Sequence, residues 1–161
     1  VPTTYTHIAT TELSSTQSSV EFTSLGSYTD LIFYGQFATS TAAYIQAWIS
    51  NSASYPASGH YTQVIDTSTS AYTYSNSQAL LIGYGQATSG LASYGVFELH
   101  QYRNTNTYRV ASGFMGHISG AGNQVSSRLV QTYAIDRIKF QGDSGNLISG
   151  TKISVYGILE A

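Results

Sequence analysis

An all-β fold, a single antiparallel β-sandwich domain of about ten short strands over residues 1–161, is what this sequence predicts. Three observations predict it. Apolar and polar residues alternate with period two, polar turn clusters separate the alternating runs, and no run has the spacing of an amphipathic helix.

The alternation is explicit in four places. "SVEFTSL" sets Val20 and Phe22 on one face and Glu21 and Thr23 on the other. "TDLIFYGQFA" sets Leu31, Phe33 and Phe37 against Ile32, Tyr34 and Gln36. "AYIQAWIS" sets Ile45, Ala47 and Ile49 against Tyr44, Gln46 and Trp48, and its β-branched and aromatic content favours strand over helix. "YGVFELHQY" buries Phe97 and Leu99 and exposes Glu98 and His100 on a common outer face. One buried face per strand is the mark of antiparallel sheets. The turn clusters are "LSSTQSS", "NSASYPASG", "TSTSAYTYSNS", "QATSG", "RNTNT", "SGAGNQ" and "GDSGN". Two hairpins follow: "FELHQY-RNTNT-YRVASGF", and "AIDRIKFQ-GDSGNLISG-TKISVYGIL" with the GDSG tetrapeptide at its bend. In the first, Arg103 and Arg109 are expected to lie over tyrosines across the hairpin.

Composition narrows the chemistry. The chain has 161 residues, enough to bury a core without metal or disulfide staples, and no cysteine, which removes thiolate sites and disulfides. Charged residues are 9% of the chain, against roughly 25% in an average soluble domain. No apolar run reaches the roughly 20 residues of a membrane-spanning helix. Val1-Pro2-Thr3-Thr4 lacks the basic start of a signal peptide, and the missing Met suggests Met removal or processing. Residues 1–102 hold no Lys or Arg; all six basic residues fall in 103–161. Either the two halves pair and neutralise each other, or acidic and basic faces meet a partner. A net charge of −2 without a basic stripe argues against nucleic acid.

The sequence also spells fragments of enzyme motifs. Gly142-Asp143-Ser144-Gly145 matches the tetrapeptide around a trypsin-like nucleophile, but Tyr44 in "STAAYIQAW" stands where the base histidine belongs. A phenol with a pKa near 10 is a poor base at neutral pH. His7, His60, His100 and His117 lack metal-ligand spacing, and the eight carboxylates are scattered singly. "GYGQAT" has two glycines of a dinucleotide loop but neither the third nor a following helix. The expectation is a protein without catalytic residues, metal or cofactor. Fourteen tyrosines and Trp48 instead offer surface for binding, either as interface anchors or as platforms for sugar rings.

Three segments carry a family resemblance: "YTHIATTELSSTQSSVEFTSLGSYTDLIFYGQFATS", "YGVFELHQYRNTNTYRV" and "AIDRIKFQGDSGNLISGTKISVYGIL". In this order, and over nearly the whole chain, the sequence resembles small tailed-bacteriophage virion surface proteins. Leu25-Gly26 departs from the Ile-Pro expected there, which implies a less rigid approach to the next strand. The resemblance implies a jelly-roll-like fold without catalysis, acting as a capsid decoration (cement) protein or as a tail appendage. The absence of heptads and repeats favours decoration over a fibre tip. The implied partners are the major capsid protein and copies of the chain itself in a homotrimer, on the outer surface of the capsid. No membrane insertion is expected. The alternative is a receptor-binding tail module that grips host glycan. Tyr102, Arg103, Tyr108 and Arg109, beside the exposed Asn-Thr turn, are the interface candidates.

Overall fold

A computed structural model describes residues 5–51, 54–55, 60–66, 71–77, 79–85, 92–117 and 122–159; for 60–66, 71–77, 85 and 117 only the backbone is considered. The described residues form twelve strands. In chain order they are β1 (Tyr5–Glu12), β2 (Val20–Thr23), β3 (Asp30–Phe37), β4 (Ala43–Ser50), β5 (His60–Asp66) and β6 (Ala71–Ser77). Then come β7 (Leu80–Gly85), β8 (Ser93–Leu99), β9 (Arg109–His117), β10 (Gly122–Leu129), β11 (Arg137–Gly142) and β12 (Lys152–Ile158).

Two antiparallel sheets hold them, an eight-stranded sheet in the order β1-β12-β3-β8-β9-β10-β5-β6 and a four-stranded sheet in the order β2-β11-β4-β7. The quartet β1-β12-β3-β8 faces β2-β11-β4-β7, and the chain alternates between them, which is jelly-roll order. Two insertions extend the large sheet past β8: the β5–β6 hairpin between β4 and β7, and the β9–β10 pair between β8 and β11. These added strands curl over β7, which packs on β9, β10 and β5. Asn123 in β10 accepts from the Tyr84 amide of β7 at 3.2 Å, so the edge of the small sheet is covered rather than bare.

The predicted faces of β2, β4 and β8 hold. β4 alternates without a break up to its last residue, with Ile45, Ala47 and Ile49 wholly buried. β3 buries Leu31, Phe33 and Phe37 as expected, but also Ile32 on the opposite face, where it stands level with Glu98 and Tyr156 of the flanking strands. Five phenylalanines join the layers. Phe33, Phe37 and Phe97 come from the large sheet and Phe22 and Phe140 from the small one; Phe33 meets Phe140 edge-on at 5.2 Å. Such tilted pairs add about 0.5–1.5 kcal/mol each beyond their buried area.

Two expected local structures are corrected. "TSTSAYTYSNS" is not wholly a turn, since Ala71–Ser77 pairs with β5. The closing segment is not a hairpin either: β11 pairs with β2 and β4, whereas β12 pairs with β1 and β3. Residues 143–151 therefore cross from one sheet to the other. Leu147, fully buried, pins this crossing. It exchanges two backbone hydrogen bonds with Gln17 at 2.8 and 2.9 Å and bridges Thr39, so three sheet-to-sheet connections are zipped together at one end. The cluster "QATSG" lies outside the described residues, as does "NSASYPASG" apart from Asn51, Ser54 and Tyr55.

The charge asymmetry is offset in part within the chain. Acidic early strands pair with basic late ones: Lys152 reaches Glu12 at 2.9 Å across β1–β12, and Arg137 reaches Glu21 at 3.3 Å across β2–β11.

Tyr28 lies directly over Gly157, where an added Cβ would stand 2.2 Å from its ring. Gly157→Ala is expected to cost about 1–3 kcal/mol through this overlap. In a Tyr28→Ala background the cost should shrink, a coupling that urea denaturation of the double-mutant cycle measures. Leu147→Ala should cost about 2–5 kcal/mol by leaving a cavity at the crossing.

Candidate functional site

The end of the sandwich opposite Leu147 gathers three segments: the β2–β3 connection (24–29), the β8–β9 turn (100–108) and the β10–β11 connection (130–136). The β8–β9 turn is built by Asn104, whose amide donates to the Gln101 carbonyl at 2.8 Å and whose side-chain oxygen accepts from the amides of Asn106 and Thr107. This is an Asx-type turn, the use for which Asn suits such a position.

The four residues proposed from sequence at this turn divide. Tyr102 is fully buried, and its hydroxyl donates to the Gly26 carbonyl at 2.7 Å. Arg109 is also buried. One of its terminal nitrogens donates to the Asn104 carbonyl and the other to Gln131 at 2.7 Å, while the guanidinium lies 5.8 Å from the Tyr133 ring centre. Among the described residues no carboxylate pairs with it, and its Nε has no hydrogen-bond partner. Burial holds the Arg109 pKa below the ordinary arginine value and raises those of Tyr102 and Tyr133. Tyr102 and Arg109 are thus internal staples, and the expectation that they form an interface is corrected. Tyr102 has no exposed surface and Arg109 only 1%, at the floor of the cleft beside Tyr108, so neither offers a docking partner an anchor.

Arg103 and Tyr108 remain at the surface. Arg103 donates to the Gly26 carbonyl at 3.1 Å while staying exposed, and Tyr108 is 56% exposed. The expected stacking is replaced: Arg128 of β10, not an arginine of the turn, lies over Tyr108 at 5.9 Å. Gly26 is suited to its position by its backbone. Its φ of +79° is closed to proline, and Tyr102 and Arg103 tie its carbonyl. A cleft of about 410 Å³ opens beside Tyr108, lined also by Asp30, His100, Gln101 and Val110.

His100 sits between two carboxylates, 3.7 Å from Asp30 and 3.7 Å from Glu98, and 3.3 Å from the Ser112 hydroxyl. The Glu98–His100 alternation did place these two on a common face. His7 contacts Thr10 at 2.9 Å and the edge of Tyr156. His60 and His117 stand in β5 and β9, with side chains outside the described residues. Among the described residues no three His, Asp or Glu side chains come close enough to share a metal ion. The Ser144 hydroxyl has Asp143 at 3.3 Å and the Ala42 carbonyl at 3.4 Å, and no histidine partner among the described residues. Asp143 itself accepts from the Tyr44 amide at 3.0 Å, and Gly145 takes φ +72°, so the tetrapeptide is a bend. "GYGQAT" starts inside β7, where the Met115 side chain packs against Gly83.

On the outer face of the small sheet, Trp48 is not an open platform. The Lys139 ammonium lies 4.6 Å from its ring centre and 4.5 Å from that of Tyr55. Tyr55 donates a hydrogen bond to Glu21, which also takes Arg137. Desolvation first, then this bond to a carboxylate, pushes the Tyr55 phenol far above its ordinary range, and desolvation lowers Lys139.

No protein-family model matches the chain, and no curated protein matches it.

Two outcomes test the staples. Arg109→Met should lower stability by about 2–4 kcal/mol, the loss of two charge-assisted hydrogen bonds less the relief of a buried charge; thermal denaturation measures it. Tyr55 makes alkaline stability pH-dependent. Above the ordinary tyrosine pKa near 10 the unfolded chain gives up this proton while the folded chain keeps it. The contribution is therefore complete below that pH and declines as pH rises. Tyr55→Phe should flatten the decline and remove one late-titrating phenol from the tyrosinate absorbance.

Proposed function

We propose that this protein is a virion surface protein that docks, without catalysis, on the outside of an assembled bacteriophage capsid and stabilises it. Its partners in this reading are the major capsid protein and copies of itself arranged as a trimer. Subunits that bind only the closed shell favour it over the open one by mass action.

The observation that carries the reading is the loop end of the sandwich. Arg103, Tyr108 and Arg128 gather there at the surface of a chain with only six basic residues, beside a cleft large enough to take a partner side chain. Exposed tyrosine and arginine are the residue types that anchor interfaces. The internal staples Tyr102 and Arg109 hold the turn that presents Arg103 and Tyr108, so this surface is ordered before a partner arrives. The jelly-roll topology and the resemblance along nearly the whole chain support the same reading.

The test is reconstitution. Purified chain is added to capsids lacking it and occupancy is counted by cryo-electron microscopy. Many copies over the shell are expected, and Arg103→Ala with Tyr108→Ala should weaken occupancy roughly tenfold or more. Density confined to the tail, or unchanged occupancy by the double variant, would contradict the proposal.

A further inference from the structure

Phe114 is out of place. The chain has six phenylalanines, five of them in the core cluster, yet Phe114 is 51% exposed on the outer face of the large sheet. Its ring lies over two glycines that face each other on β9 and β10: a Cβ at Gly122 would stand 3.1 Å from it and one at Gly116 3.6 Å. The ring therefore rests against backbone, with no side chain at either position to lift it.

Phe114 does not stand alone. Val96 is its cross-strand neighbour on β8, and Tyr34 is the next one on β3. Tyr34 is 49% exposed, and Tyr94, two residues from Val96 on the same face, is 60% exposed. Tyr34 and Tyr94 flank a groove of about 300 Å³ along Gly35 and Gly95, which also reaches Gln36 and Ser154. On the other side of Val96 a second groove of about 450 Å³ joins Phe114 to Glu98, Ser112 and Gln124.

Each groove thus sets an exposed ring beside hydroxyl and amide groups. A pyranose needs that combination, because one face of it is C–H surface and its rim is hydroxyl. The two platforms stand two strands apart, roughly 10 Å at the spacing of a sheet, about the length of a disaccharide. Charge disfavours an anion, since the second groove carries the Glu98 carboxylate, whose oxygens accept hydrogen bonds and so suit a rim of sugar hydroxyls. Lys152, the cation at the first groove, is engaged by Glu12 at 2.9 Å, and no Lys or Arg lines the second.

We propose that the outer face of the eight-stranded sheet binds a neutral saccharide, with the Tyr34–Tyr94 pair and Phe114 as stacking platforms for two successive sugar rings. This surface meets the Arg103–Tyr108 end at His100, which touches Glu98 and Ser112 of the second groove, but its platforms are other residues and it does not rest on the capsid reading, so the isolated chain suffices to test it.

The probes are tetrasaccharides of glucose, mannose, galactose and N-acetylglucosamine, titrated into isotopically labelled protein. At least one should shift backbone amide resonances of β3, β8 and β9 saturably. Phe114→Ala should weaken that binding roughly tenfold or more, and Tyr34→Ala with Tyr94→Ala should remove it. Tyr108→Ala, at the other surface, should leave it unchanged; all four positions are exposed, and unchanged spectra outside the site check the fold. The proposal is overturned if no tetrasaccharide perturbs these strands, or if the variants bind as well as the parent. It is also overturned if the same resonances move with protein concentration alone, which would make a second copy the occupant.

Discussion

The edge-on contact of Phe33 with Phe140 is the joint on which the molecule depends. One ring comes from each sheet, and Phe22, Phe37 and Phe97 close around them. A sheet with one apolar face is not stable alone, and burial of that face against a second layer is what a two-sheet fold provides. With charged residues so few, little else in the chain competes with this burial as a driving force. The alternation of the chain between sheets follows from it, since β2, β4, β7 and β11 must each return to the facing layer to bury their inner side chains.

The same constraint organises the two ends. At one, three connections between the sheets converge on Leu147 and are joined by backbone hydrogen bonds. At the other, side chains do the joining: Tyr102 and Arg109 reach carbonyls of the neighbouring connections. A buried guanidinium held by carbonyl oxygens and a tyrosine ring, with no carboxylate beside it among the described residues, is a costly device. It orders the turn that carries Arg103 and Tyr108. Once the inner faces are filled, the outer face of the large sheet is left with rings that the core cannot take, and Phe114 is the clearest of them.

The sequence made much of this legible where the signal is local. The inner faces of β2, β4 and β8 follow from alternation alone, because each strand has one buried side and one wet side. Pairing of acidic early strands with basic late ones was one of the two outcomes the charge distribution allowed, and Glu12–Lys152 and Glu21–Arg137 realise it. The errors came where the deciding partner is distant. A Gly-Asp-Ser-Gly bend between two alternating runs looks the same whether the runs pair or pass into different sheets; what separates β11 from β12 is the pairing of Leu147 with Gln17 and Thr39. Arg109 beside a polar turn reads as a surface charge, and its distant partners, the Gln131 carbonyl 22 residues away and the Tyr133 ring, reveal why it is buried. Tyr102 is likewise drawn inward by Gly26, 76 residues earlier. The Ser and Asn of β6 read as a turn by composition, but its pairing with β5 makes it a strand.

The central claim is that the closing segment crosses between layers, which makes the fold a jelly roll and leaves the outer sheet face free. Nuclear Overhauser contacts between backbone protons test it most directly. The account predicts a ladder linking Ile138 to Phe22 and Ile49, another linking Val155 to Phe33, and none between β11 and β12. A continuous ladder joining Ile138 and Phe140 to Ile153 and Val155 would contradict it.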